Sequence, residues 1–254
     1  MLLHGLLGSH RNLAGLAQGL ADERSVLAVD LRNHGASSHH TANSIADHAA
    51  DIGALLAEEA GGAAHLVGHS FGGRVAVETA LRFPARVASL FLLDITPDIW
   101  SENRVHHSQV HHILRGLVAV ELNAGRPRAL EQIRAVAEGD EGLFAFLRTN
   151  LIERDGGELA WRCNLSVILQ SYAPNFAFKF SAGRFDGPVG LVRGSRSDFV
   201  DEAGLRVLER LFPAFNAQRH CHAVDAGHWL HGERPAEVFA LVRAHLRTAE
   251  TELA

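Results

Sequence analysis

Short apolar runs alternate with amphipathic stretches along most of the chain, a rhythm that predicts βαβ units feeding a mostly parallel sheet. The runs at Val26–Asp30, Ala64–Gly68, Ala88–Ile95, Pro188–Arg193 and Gln218–Val224 have the length and composition of strands. Ser44 offers an N-cap for a helix running to about Ala60, with Ile45, Ala49, Ile52, Leu55 and Leu56 along one face. Further helices are predicted from just after Ser70 to near Pro84, over Glu202–Leu211, and from Pro235 to about Thr248. Between Pro97 and Asp186 the rhythm stops. That stretch reads as successive helices, among them Val105–Leu122, Arg128–Glu138 and Leu143–Glu153, and it is rich in aromatic residues from Trp100 to Phe180. A helical insert between two strands of one sheet predicts a cap over the strand C-terminal ends, where open α/β sheets place their ligands. The expected organisation is a core of residues 1–96 and 187–254 carrying a helical cap over 97–186.

Composition narrows this picture without redirecting it. With 254 residues, 47% of them hydrophobic, the chain can bury a large core without disulfides or metals. Cys163 and Cys221 have no CxxC spacing and suit unpaired thiols in a reducing compartment. A net charge of −5 argues against a nucleic-acid partner. Met1-Leu2-Leu3 lacks the basic flank of a signal peptide, and no apolar run approaches the roughly 20 residues of a membrane span. A cytoplasmic location is the resulting expectation. Histidine is abundant at 17 copies, and the doublets His106-His107 and His111-His112 raise the question of zinc. No acidic residue is interleaved there, so these read as solvated surface side chains.

The chemistry concentrates in three loops. Gly68-His69-Ser70-Phe71-Gly72 is a GxSxG elbow between a predicted strand and helix, a tight strained turn that exposes the Ser70 hydroxyl as a nucleophile. The Phe71 N–H at the helix start is one candidate oxyanion donor, and the Leu6 N–H in His4-Gly5-Leu6-Leu7-Gly8 is the other. His4 is read as holding that loop rather than transferring protons. His228 follows Gly227 after the last strand, where a general base belongs, with His231 as its fallback. Two carboxylates compete to orient it. Asp198, in Gly194-Ser195-Arg196-Ser197-Asp198, is preferred, and Asp94, at the end of the strand after the elbow, is the alternate acid.

Together these motifs resemble the α/β-hydrolase superfamily and, more narrowly, YbfF-type bacterial esterases and mitochondrial abhydrolase-domain relatives. The resemblance runs through HGLLGS (His4–Ser9), DLRNHGAS (Asp30–Ser37), GHSFGG (Gly68–Gly73), LLDITP (Leu92–Pro97) and GHWLHGERP (Gly227–Pro235). It implies an α/β-hydrolase fold with a small helical cap, no cofactor, and hydrolysis of a small-molecule carboxylic ester, whose acyl or alcohol group the aromatic and aliphatic insert predicts to be apolar, with acyl-CoA thioesters as the alternative. Arginines of the insert such as Arg104, Arg128, Arg134 and Arg148 would then meet CoA phosphates. Members of that group can use an aspartate matching Asp94 instead of one on the later loop, and this sequence carries both. A hydrolase-fold small-ligand receptor with little turnover, and a C–C bond hydrolase, are competing classes. Relatives also begin with a hairpin and a full central strand upstream of the HG motif, whereas only Met1–Leu3 precede it here. Either residues precede Met1, or the sheet is completed unusually, as in a homo-oligomer whose partner chain supplies a strand.

Overall fold

The computed structural model describes residues 1–59 and 62–253, so the predicted helix end at Ala60 lies outside the described residues. In chain order the strands are β1 (Leu2–Leu3), β2 (Ala28–Val29), β3 (Ala64–His69), β4 (Val87–Leu93), β5 (Leu151–Glu153), β6 (Leu159–Trp161), β7 (Val189–Gly194) and β8 (Cys221–Val224). Six of them form one parallel sheet in the order β2-β1-β3-β4-β7-β8. A parallel sheet is covered on both faces, which is why β4 is buried at every position and apolar at all but Ser89. On one face Leu2, Val67, Phe91, Val192 and Val224 pack with Leu16 and Leu20 of helix Ala14–Ala21 and with Val238, Val242 and Leu246 of helix Pro235–Leu253. The alternating residues Leu3, Leu66, Leu90, Leu92 and Leu191 are buried as well.

The strand order reverses at the middle of the sheet. From β1 the chain moves outward to β2, and from β3 it moves the other way through β4, β7 and β8. Such a switch point opens a crevice beyond the carboxyl ends of the two diverging strands, here β1 and β3. The loop at His4–Gly8 and the elbow at Ser70 leave the sheet at those two ends.

Met1–Leu3, too few for an ordinary strand, nevertheless make one. Leu2 pairs with both Ala28 and Val67, and Leu3 with both Val29 and Gly68. The ladder extends through Leu2 N–H to Leu27 O at 2.8 Å and Val67 N–H to Met1 O at 2.9 Å. Both sides of β1 are thus taken by strands of this same chain, and no partner strand is needed at this position.

The described residues gather into two compact units, one of residues 1–31, 45–98 and 179–254, the other of 32–44 and 99–178. The second unit includes a segment that the sequence pattern placed in the core. Asparagines hold that segment: Asn43 Nδ2 donates to Ser171 Oγ (2.6 Å), Asn175 Nδ2 to Asn43 O (2.8 Å), and Asn164 N–H to Asn33 O (2.9 Å). Within the same unit, the predicted helix Val105–Leu122 is two helices, Glu102–His106 and Gln109–Val118. Ser108 caps the second of them by accepting the His111 N–H. The predicted helix Leu143–Glu153 stops at Leu147, and β5 then pairs antiparallel with β6. The reversal is made by Asp155-Gly156-Gly157, whose glycines take φ of 97° and 84°, a turn signal embedded in helical surroundings. Likewise residues 218–220, expected to open the last strand, lie in a helical turn, Ala217–His220, capped by Asn216.

Glycine contacts around the sheet separate two kinds of position. A Cβ on Gly72 would stand 2.4 Å from Leu3 O and 2.5 Å from His4 O, whereas one on Gly15 meets nothing within 4 Å. Gly72→Ala is therefore expected to cost about 2–4 kcal/mol, since backbone atoms cannot step aside. Gly15→Ala, on an exposed helix face, should stabilise by up to about 1 kcal/mol. Urea unfolding of the two variants reads both signs in one experiment.

Candidate active site

The elbow is strained as a sharp strand-to-helix turn requires. Ser70 has φ 51° and ψ −119°, outside the regions favoured by L-residues, and it N-caps helix Phe71–Arg82. Its N–H donates to Leu93 O at 3.0 Å, tying the bend to the end of β4. Just past that end, Asp94 also takes positive φ (53°), as does Leu7 (60°) in the loop after β1. Three of the five positive-φ non-glycine residues among those described thus sit at one edge of the sheet, each storing about 1–3 kcal/mol that the surrounding structure must hold.

These bends bring distant groups together. His228 Nε2 lies 2.9 Å from Ser70 Oγ, and its Nδ1 lies 2.7 Å from Asp94 Oδ2. Asp94 is fully buried, and a carboxylate is tolerated there because donors surround it. Gly194 N–H donates to Oδ1 at 2.9 Å, and the Ser197 hydroxyl makes a short hydrogen bond to Oδ2. With Nδ1 donating to the carboxylate, the lone pair of Nε2 is left facing the serine hydroxyl. Phe199 stacks on the His228 imidazole, centroids 3.7 Å apart at 15°, and the Trp229 ring stands edge-on at 5.5 Å. Of the two candidate carboxylates, the structure brings the alternate one, not the preferred one, to the imidazole. His228 meets Asp94, while Asp198 is exposed. From the loop of Asp198 it is the side chain of Ser197, one position before the expected acid, that hydrogen-bonds the Asp94 carboxylate. A hydroxyl there carried no motif of its own.

The loop after β1 is a turn in which Gly8 N–H donates to Gly5 O at 3.0 Å, with Leu6 and Leu7 at its corners. Leu6 is part-exposed, and its N–H lies on the corner of that turn. Phe71 is the first residue of its helix, where N–H groups point out of the helix end and the dipole favours negative charge. His4 braces the loop: Nδ1–H donates to Gly5 O at 2.8 Å and Nε2 accepts the Leu31 N–H at 3.1 Å. Both bonds are satisfied only by a neutral imidazole, and burial lowers the His4 pKa from the ordinary 6.5 to about 4. Burial also lowers His231 to about 4, and its ring packs on His69 rather than on Ser70.

Other sequence candidates are engaged elsewhere. Arg104 lies over Trp100 (4.2 Å), Arg134 over Phe144 (4.0 Å), and Arg128 pairs with Glu131 (2.7 Å). His107 and His111 do not share a helix, because the first helix ends at His106. Among the described residues no group of three or more His, Cys, Asp or Glu side chains is arranged to hold a metal ion, and no helix is long and apolar enough to cross a membrane.

Comparison with known proteins bears on the family and the fold. The family described as alpha/beta hydrolase fold matches residues 1–151. The sn-1-specific diacylglycerol lipase ABHD11 of Danio rerio is 31% identical over 255 residues, covering 97% of this chain and 78% of that protein. Esterase YbfF of Escherichia coli is 28% identical, with 97% and 92% covered. Among solved structures, a marine microorganism esterase superposes with a TM-score of 0.88 over 96% of this chain and 93% of that one; at 24% identity it speaks for the fold.

The neutral brace at His4 predicts a pH signature. The unfolded chain binds a proton at this imidazole below about 6.5, and the folded chain excludes it down to about 4. His4 therefore contributes its full stabilisation above the upper value, and loses about 1.4 kcal/mol per pH unit as pH falls through that window. Urea titrations from pH 7 to 4.5 should show His4→Asn flattening the pH dependence of unfolding by about one proton.

Proposed function

The chain belongs to the α/β-hydrolase family, and we propose that it is a serine hydrolase cleaving carboxylic esters through an acyl-enzyme. The observation carrying this reading is the unbroken line Ser70 Oγ, His228 Nε2, His228 Nδ1, Asp94 Oδ2 at the switch point of the sheet, with spacings of 2.9 and 2.7 Å. Asp94 fixes the tautomer of His228, which takes the Ser70 proton as Oγ attacks the acyl carbon. The N–H groups of Leu6 and Phe71 receive the negative charge that develops on the carbonyl oxygen. His228 then gives its proton to the departing alcohol. A water deprotonated by the same imidazole attacks the acyl-enzyme, releasing the acid and restoring Ser70. Every step uses groups of the protein and water alone.

The names of the relatives, diacylglycerol lipase and esterase, favour an ester with an apolar acyl chain. The buried aromatics of the second unit do not add to that preference, since Trp100, Tyr172 and Phe176 pack on one another.

Ser70→Ala should reduce p-nitrophenyl ester turnover by about 10⁴-fold or more and abolish fluorophosphonate labelling without unfolding the protein. Turnover at the wild-type rate in a purified Ser70→Ala preparation would refute the assignment. Asp94→Asn is expected to lower kcat by about 10³- to 10⁴-fold, whereas Asp198→Asn should stay within about twofold of wild type. The opposite ranking would return the acid role to Asp198.

A further inference from the structure

We propose that His69 is a positioning residue: its ring bridges the backbone of the base loop at His228 and the turn that begins at Gly5, and so sets the spacing between general base and oxyanion donor. The inference rests on the hydrolase reading and adds to it a residue between the machinery's two halves.

His69 occupies the variable position of the GxSxG elbow and is 4% exposed at the end of β3. Its Nε2 lies 2.9 Å from the carbonyl oxygen of His228. A carbonyl only accepts, so Nε2 carries the proton and Nδ1 the lone pair. On the other side of the ring is Gly5. A Cβ there would stand 2.7 Å from His69 Nδ1 and 3.2 Å from Cε1, so the turn lies against the imidazole with room for nothing but hydrogen. His231 closes a third side, its ring edge-on at 4.5 Å, and the His228 ring is 4.9 Å away.

One rigid, planar side chain therefore stands where three catalytic segments meet. A hydrogen bond fixes its distance to the base loop, and van der Waals contact fixes its distance to the turn. Burial holds the imidazole well below its usual range, with the neighbouring His231 and His228 acting in the same direction. The ring is accordingly a neutral spacer. Because its hydrogen bond and its tightest approach are to backbone, its loss misaligns the groups that act in the transition state while leaving ground-state binding in place.

The test compares His69→Phe, His69→Met and His69→Gln with wild type, reading the rate of fluorophosphonate labelling at Ser70 and the kcat and KM of a p-nitrophenyl ester. The phenylalanine and methionine variants fill the space without a donor, leaving the His228 carbonyl unpaired; the glutamine variant keeps an N–H on a side chain of similar reach. We expect kcat and labelling to fall about tenfold or more in the first two with KM within about twofold, and glutamine to recover most of the loss. If the phenylalanine variant does not fold, methionine against glutamine decides the same point. Equal rates in the methionine and glutamine variants, or a loss confined to KM, would overturn the proposal. A wild-type protein that is never labelled at Ser70 would overturn the hydrolase reading and this inference with it, an outcome distinct from labelled wild type with unaffected variants.

Discussion

The site depends on one buried carboxylate. Asp94 has no exposure to water, so its charge is tolerable only while donors are held on both oxygens. Gly194 N–H, Ser197 Oγ and His228 Nδ1 supply them from two separate segments. The requirement acts in both directions: the carboxylate orients the imidazole, and its need for partners pins the segments after β7 and β8 to the end of β4. The close approach of Gly194 to the carbonyls of Ala226 and Gly227, where a Cβ would stand 2.5 and 2.4 Å away, follows from the same convergence.

Backbone strain is the counterpart of this arrangement. Leu7, Ser70 and Asp94 are held at positive φ, a region L-residues rarely adopt, and the sheet clamps Ser70 and Asp94 there. Ser70 N–H bonds to Leu93 O and Asp94 N–H to Val192 O at 2.8 Å, so ladder bonds of the strands continue into the bends and hold them. The parallel sheet thus serves less as a platform than as a jig, fixing where each chain segment turns.

Legibility in the sequence followed the range of the interactions. Ser70 and His228 were readable because glycines beside them mark sharp turns after apolar runs, a local signal. The strand rhythm gave the parallel sheet for the same reason. The choice between Asp94 and Asp198 was not readable, because it turns on which carboxylate is buried against His228, and Asp94 meets it from 134 positions away. Ser197 and His69 were invisible for a similar reason, each acting through one long-range hydrogen bond from a position that no motif constrains. The hairpin of β5 and β6 was different: Asp155-Gly156-Gly157 announced it locally, but helical periodicity on either side outweighed three residues.

The ladder of Leu90–Leu93 with Val189–Val192 joins neighbours that the whole of residues 99–178 separates in sequence. Chain leaving β4 re-enters the sheet on the adjacent strand, so the excursion is a closed loop whose ends are already fixed. Closure entropy for such a loop grows only with the logarithm of its length. The excursion can therefore be lengthened, shortened or rewritten at little thermodynamic penalty to the sheet. Asp94, Gly194 and Ser197 flank it and would keep their registration throughout. This fold separates the part of the chain free to diversify from the part bound to a fixed geometry.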